Sequence, residues 1–188
     1  MSFLIYPTIK ESPILGLAGL SGGVGSNLLG GGGAEPGEFK MCISTVNGFN
    51  IAYRFNQSGG WSSSGITTYG PLDLTTEAAA TGGVTDFQLQ GGGGGGNTHI
   101  FMYYLKANGV YFTGNSATTY TASIGGVTYT ITKSSNHDNW YDGGISGSGL
   151  SPTGVCPSNY SGEDYTGVSD GSNTTVTMTM SFSPTLTI

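Results

Sequence analysis

The chain has 188 residues, of which 35 are glycine and only 9% are charged, with a formal charge of −6; ordinary soluble domains carry ~25% charged residues. The five cations, Lys10, Lys40, Arg54, Lys106 and Lys133, are scattered and form no basic stripe. This argues against nucleic-acid binding and against attraction to anionic membranes. The length suits one hydrophobic core, and no run of ~18 apolar residues offers a spanning helix.

Residues 1–33 differ in character from the rest of the chain. Their apolar side chains, among them Ile14, Leu15, Leu17, Leu20, Leu28 and Leu29, have no clean period, and Pro7 and Pro13 interrupt them. They read as an extended, glycine-rich assembly arm ending in Gly30–Gly33. Left in water such an arm would be insoluble, so it is expected to dock on a neighbouring subunit or on its own sheet. GGVGS at Gly22–Ser26 lacks the lysine of a phosphate-binding loop. The opening MSFLIYPTIKESP lacks the basic and apolar regions of a secretory leader, so none is expected.

From residue 34 the pattern changes to a two-residue period. Phe39, Met41 and Ile43 alternate with polar residues before Asn47-Gly48, and Phe49, Ile51, Tyr53 and Phe55 alternate after it. Asn-Gly supplies the positive φ values of a type I′ turn, so a hairpin is expected. Cys42 lies in the first of these strands and Cys156 in a loop. The two are either bridged or free, with a buried thiol at Cys42. Shorter strands are expected at Gly65–Tyr69 and Thr85–Gln90, and LTTEAAAT at Leu74–Thr81 is the one helical signal.

The six glycines Gly91–Gly96 lead directly into the next apolar run. They read either as a packed extended helix or as a projecting loop. Two more hairpins come next: HIFMYYLKANGVYFTG turns at Asn108-Gly109, and TTYTASIGGVTYTIT turns at Gly125-Gly126 with Tyr120, Ala122, Ile124, Val127, Tyr129 and Ile131 on one face. Near the C-terminus Val176, Met178, Met180, Phe182, Leu186 and Ile188 alternate with threonine and serine. That is the clearest strand, and Pro184 marks a bend or an edge within it.

These elements specify an all-β protein. The expected architecture is an antiparallel β-sandwich or jelly-roll-like body, residues 34–188, carrying the arm at residues 1–33.

For chemistry the sequence offers little. His99 and His137 are far apart, no nucleophile elbow or zinc spacing occurs, and no enzyme, cofactor or metal is expected. The segment SSNHDNWYDGG sets Trp140 and Tyr141 among Asn136, Asp138 and Asp142. Aromatic faces beside amides and carboxylates suit a glycan, and an ordinary loop plugged by its tryptophan is the plainer alternative. Asp138 and Asp142 match no calcium loop. The acidic loop Tyr160, Glu163, Asp164, Tyr165 and Asp170, and the aromatic Trp61, are further candidates for the same surface.

With its runs GGGG and GGGGGG and five Gly-Gly pairs, the chain resembles bacteriophage virion structural proteins, in particular glycine-rich tail-fibre adhesins. Its β body with an extended arm is similar to small capsid decoration proteins. The resemblance covers about a third of the chain and transfers no binding residue. It implies a non-enzymatic protein on a virion surface or otherwise extracellular, partnered by other virion proteins or copies of itself and touching a cell-surface glycan. A secreted carbohydrate-binding module and a filament-forming subunit are the competing expectations.

Overall fold

The computed structural model describes residues 37–45, 49–92, 98–114, 119–137, 139–142, 149–150, 154, 156, 165–170 and 175–188, with backbone alone for 139–142 and 170. The assembly arm, including Ile14, Leu15, Leu17, Leu20, Leu28 and Leu29, lies outside the described residues, as does Asp138.

The described chain is an antiparallel β-sandwich. Its strands are β1 (Phe39–Thr45), β2 (Ile51–Phe55), β3 (Ser62–Ser63), β4 (Tyr69–Asp73), β5 (Val84–Gly91), β6 (Thr98–Ala107), β7 (Val110–Tyr111), β8 (Thr119–Ile124), β9 (Val127–Ser135), β10 (Asn139–Asp142), β11 (Thr166–Asp170) and β12 (Val176–Leu186), with one short helix, α1 (Thr75–Ala80). One sheet, here sheet A, runs β10-β11-β6-β1-β4 with β7 paired to β6, and the other, sheet B, runs β3-β2-β5-β12-β9-β8. The chain crosses repeatedly between the two, so most neighbours within a sheet are distant in sequence.

Alternation of side chains places one face of each sheet in the core. Phe39, Met41 and Ile43 of β1 and Ile100, Met102 and Leu105 of β6 meet Phe87 and Leu89 of β5 and Met178, Met180 and Phe182 of β12, all buried. Phe39 is the aromatic hub. Its ring centroid lies 5.3 Å from Phe55 and 5.4 Å from Phe87 in edge-to-face geometry, a contact worth about 0.5–1.5 kcal/mol beyond area burial. A polar tie also crosses the core, where buried Lys133 of β9 donates to Thr166 Oγ1 of β11 at 2.8 Å.

Two hairpins form as the sequence predicts. Asn108 and Gly109 have φ of 47° and 80° and join β6 to β7, while Gly125 and Gly126 have φ of 57° and 81° and join β8 to β9. The hairpin expected around Asn47-Gly48 does not form. β1 pairs with β4 and β6 in sheet A, whereas β2 pairs with β3 and β5 in sheet B. The two alternating runs are real strands, but each finds its partners in a different layer.

The strand expected at Gly65–Tyr69 begins only at Tyr69, because Ser64 and Ile66 bond across to Ile51 as a connection. The terminal strand forms as expected, yet β12 is central rather than at an edge, and Pro184 falls where pairing with β5 skips between Ser181 and Leu186. Gly91 belongs to neither a glycine helix nor a loop. It is the last residue of β5, opposite Ile51 and Val176, and a Cβ there would meet Ile100 and Thr98 at 3.1 Å. Gly93–Gly96 lie outside the described residues.

Candidate functional site

The two outer faces of the sandwich differ in chemistry. On sheet A the register slips between Cys42, opposite Tyr104, and Ile43, opposite Met102, so Tyr103 is an extra residue and Tyr103 and Tyr104 both join an outer cluster. Cys42, Phe101, Tyr103 and Tyr104 are buried there, with Tyr111, Cys156 and Tyr165 packed against them. A disulfide joins Cys42 to Cys156, with Cα atoms 5.4 Å apart and a sequence separation of 114. Tyr165 places its ring 4.9 Å from Phe101 and 5.7 Å from Tyr103. This face is covered and covalently fastened. Burial raises the Tyr104 phenol above its ordinary value.

On sheet B the outer face is polar. Outward residues of β12 are Thr177, Thr179, Ser181 and Ser183, because Met178, Met180 and Phe182 point into the core. Cross-strand partners share a face, and these four sit beside Gln90, Gln88 and Asp86 of β5 and beside Ser134, Thr132 and Thr130 of β9. One row is tied together from strand to strand. The Arg54 guanidinium lies 4.4 Å above the Trp61 ring, Arg54 Nε donates to Gln88 Oε1, and Gln88 Nε2 donates to Thr179 Oγ1 at 2.9 Å. In the next row Gln90 Nε2 donates to Thr177 Oγ1 at 3.2 Å.

A concavity of about 550 Å³ opens at the start of β1, lined by Glu38, Lys40, Asp73, Thr75 and Lys106. Its charges are spent on one another. Glu38 pairs with Lys40 at 3.1 Å and with Lys106 at 3.0 Å, and Lys40 reaches Asp73 at 3.6 Å. Burial opposes ionisation of Glu38, but hydrogen bonds from Lys106 and Lys40 outweigh it and hold the carboxyl below its ordinary value. The Thr75 hydroxyl, 2.7 Å from Asp73 Oδ1, does the same for Asp73, and the Glu38 hydrogen bond raises Lys40. Glu38 Oε2 also accepts from Gly109 N, and Asn108 ties the Glu38 backbone to the carbonyl of Thr187. The cluster is a clamp joining β1, β4, the β6–β7 turn and the chain end.

The residues expected to bind a glycan divide. Asn136 comes directly after β9 and uses its side chain structurally: its Oδ1 accepts from Thr177 N at 2.6 Å and its Nδ2 donates to the Thr175 carbonyl at 2.8 Å. Trp140, Tyr141 and Asp142 are not in a loop. They belong to β10, the edge strand of sheet A, opposite Val168, Gly167 and Thr166. The segment that reads as one loop thus starts in sheet B and ends in sheet A. His99 lies in β6 with its ring edge-on to Phe101, and burial lowers its pKa. Among the described residues no three of His, Cys, Asp and Glu gather as a metal site, and no helix is long and apolar enough to cross a membrane.

What the sequence did not reveal is which polar residues meet. Lys40 and Lys106, far apart along the chain, face each other directly across β1 and β6. In the Arg54–Gln88–Thr179 row, the hydrogen-bonded Gln88 and Thr179 are 91 positions apart. The one local signal for it was Trp61 in QSGGWSSSG. No protein-family model, curated protein or solved structure matches this chain.

Proposed function

We propose that the protein is a non-enzymatic structural protein of a virion exterior, a fibre component, adhesin or capsid decoration. In this reading the arm, residues 1–33, anchors it to other virion proteins or to copies of itself, and the sandwich faces outward toward the host surface. The observation that supports an exterior placement is the Cys42–Cys156 disulfide, since such bridges persist outside the reducing cytosol. A sandwich with one face fastened shut and with Glu38, Asp73, Lys40 and Lys106 paired among themselves suits a durable exposed module. The resemblance carried by the glycine runs supplies the virion.

The test is deletion of residues 1–33, then assay of particle incorporation and oligomeric state. The proposal expects the body to fold and to lose incorporation; unchanged assembly would refute it. A secreted carbohydrate-binding module is the second reading, favoured by the ordered polar row on sheet B. Strand addition into a filament has less support, because two described sheet edges are blunted. β4 turns Pro71 outward, and β8 is bridged at Thr121 by Thr113.

A further inference from the structure

We infer that the outer face of sheet B binds a neutral polysaccharide, with the chain lying across the strands along the row Trp61, Arg54, Gln88 and Thr179. The inference takes from the proposed function only that the module meets glycans outside a cell. The surface itself is argued from its own chemistry.

The face is made of groups that both donate and accept. Along β12 every outward position from Thr177 to Ser183 carries a hydroxyl, and the outward neighbours on β9 and β8 are again threonines and serines. Hydroxyls match the dual donor and acceptor character of sugar hydroxyls. Strands ~4.8 Å apart repeat this chemistry at close to the length of one pyranose unit.

The row is held in place before any ligand arrives. Free surface arginines and glutamines lose rotamer entropy on binding. Here stacking on Trp61 and the hydrogen bonds through Gln88 to Thr179 already fix Arg54 and Gln88, so little of that cost remains.

Unused bonding capacity sits at the same place. Only Nε of Arg54 has a protein acceptor among the described residues, which leaves the N–H groups of its two terminal nitrogens for a ligand. A saccharide hydroxyl can accept from those N–H groups.

Charge selects the class of glycan. Arg54 and Asp86 balance each other on this face, while the chain as a whole carries −6, which opposes phosphorylated, sulfated or sialylated chains. A neutral chain meets no such opposition.

The experiment applies the full chain to an array of neutral and anionic glycans that includes dextran, mannan and cello-oligosaccharides, then measures affinity for the strongest binder by titration. Neutral glycans are expected to bind. Arg54→Ala and Trp61→Ala are expected to weaken binding roughly tenfold or more, and Thr177→Lys, at a half-buried position of the same face, should weaken it as well. Trp140→Ala should leave binding unchanged. Binding only to anionic glycans, no binding at all, or equal binding by Arg54→Ala and Thr177→Lys would each overturn the inference. Loss of particle incorporation on arm deletion is read separately, so the two ideas can fail independently.

Discussion

Phe101 lies against a strand position that has no side chain. Gly167 is its direct partner across β6 and β11, and a Cβ there would collide with the Phe101 ring and come 2.8 Å from the Ile100 carbonyl oxygen. The aromatic ring thus covers a glycine that would otherwise weaken the strand. Gly167→Ala is expected to cost about 1–3 kcal/mol, whereas Gly60→Ala, into open space, should stay within about 0.5 kcal/mol. Denaturant unfolding of the two variants checks this, and equal stability would refute the packing argument. Glu38 gives a second test at this scale. Its carboxyl and that of Asp73 are held below their ordinary values, so their contribution is complete above the ordinary carboxylate range and is lost as pH falls through the lowered values. Lys40 is raised, so its share is present below its ordinary value and disappears only in strong alkali. Glu38→Gln should therefore flatten the acid limb of a plot of melting temperature against pH, measured from about pH 7 to about pH 2. An unaltered limb would show that the clamp contributes nothing to acid stability.

The strands show how an edge is kept from pairing with a neighbour. Thr45 N bonds to the Thr68 carbonyl and Leu74 N to the Phe39 carbonyl. Bonding alternates along an antiparallel pair, so Tyr69, Pro71 and Asp73 turn their backbone groups away from β1. Proline puts no donor in the middle of that edge. Pro71→Val restores an N–H and should raise concentration-dependent self-association in size-exclusion chromatography; a variant as monodisperse as the parent would count against a protective role. Strand identity is legible in the sequence because burial on one face imposes a two-residue period that local reading detects. The turns at Asn108-Gly109 and Gly125-Gly126 are legible for the same reason, since each closes strands that remain partners. Asn47-Gly48 misleads because the same dipeptide there separates strands that belong to different sheets. Nothing within a few residues of it records that β1 has β6 beside it, more than fifty positions away.

For the whole molecule, the sandwich class is legible from the number of strands and the near absence of helix. The surfaces are not, because which threonines share a face with Arg54 and which aromatics cover Cys42 depend on pairings between distant segments. The same distance hides the disulfide from a local reading, and the fold brings its cysteines together. Reduction should remove about 2–5 kcal/mol of stability, seen as a lower guanidinium midpoint with dithiothreitol than without; coincident curves would mean that the covered face holds without its bridge.

That bridge also governs how the body would bear a load. A Cβ on Gly37 would stand 2.8 Å from the Ile188 carbonyl carbon, so the two ends of the body lie side by side, and tension applied between them draws first on β1 and β12, each held between two neighbours in its own sheet. With Cys42 tied to Cys156, only the short stretches outside the bridge can be drawn out, while everything between the cysteines stays a closed ring. In single-molecule pulling the oxidised body should extend less than the reduced one by roughly 390 Å, the 114 residue steps from Cys42 to Cys156 at about 3.3–3.6 Å each. A module of this kind can yield at its two ends under force and still keep most of its length folded back on itself.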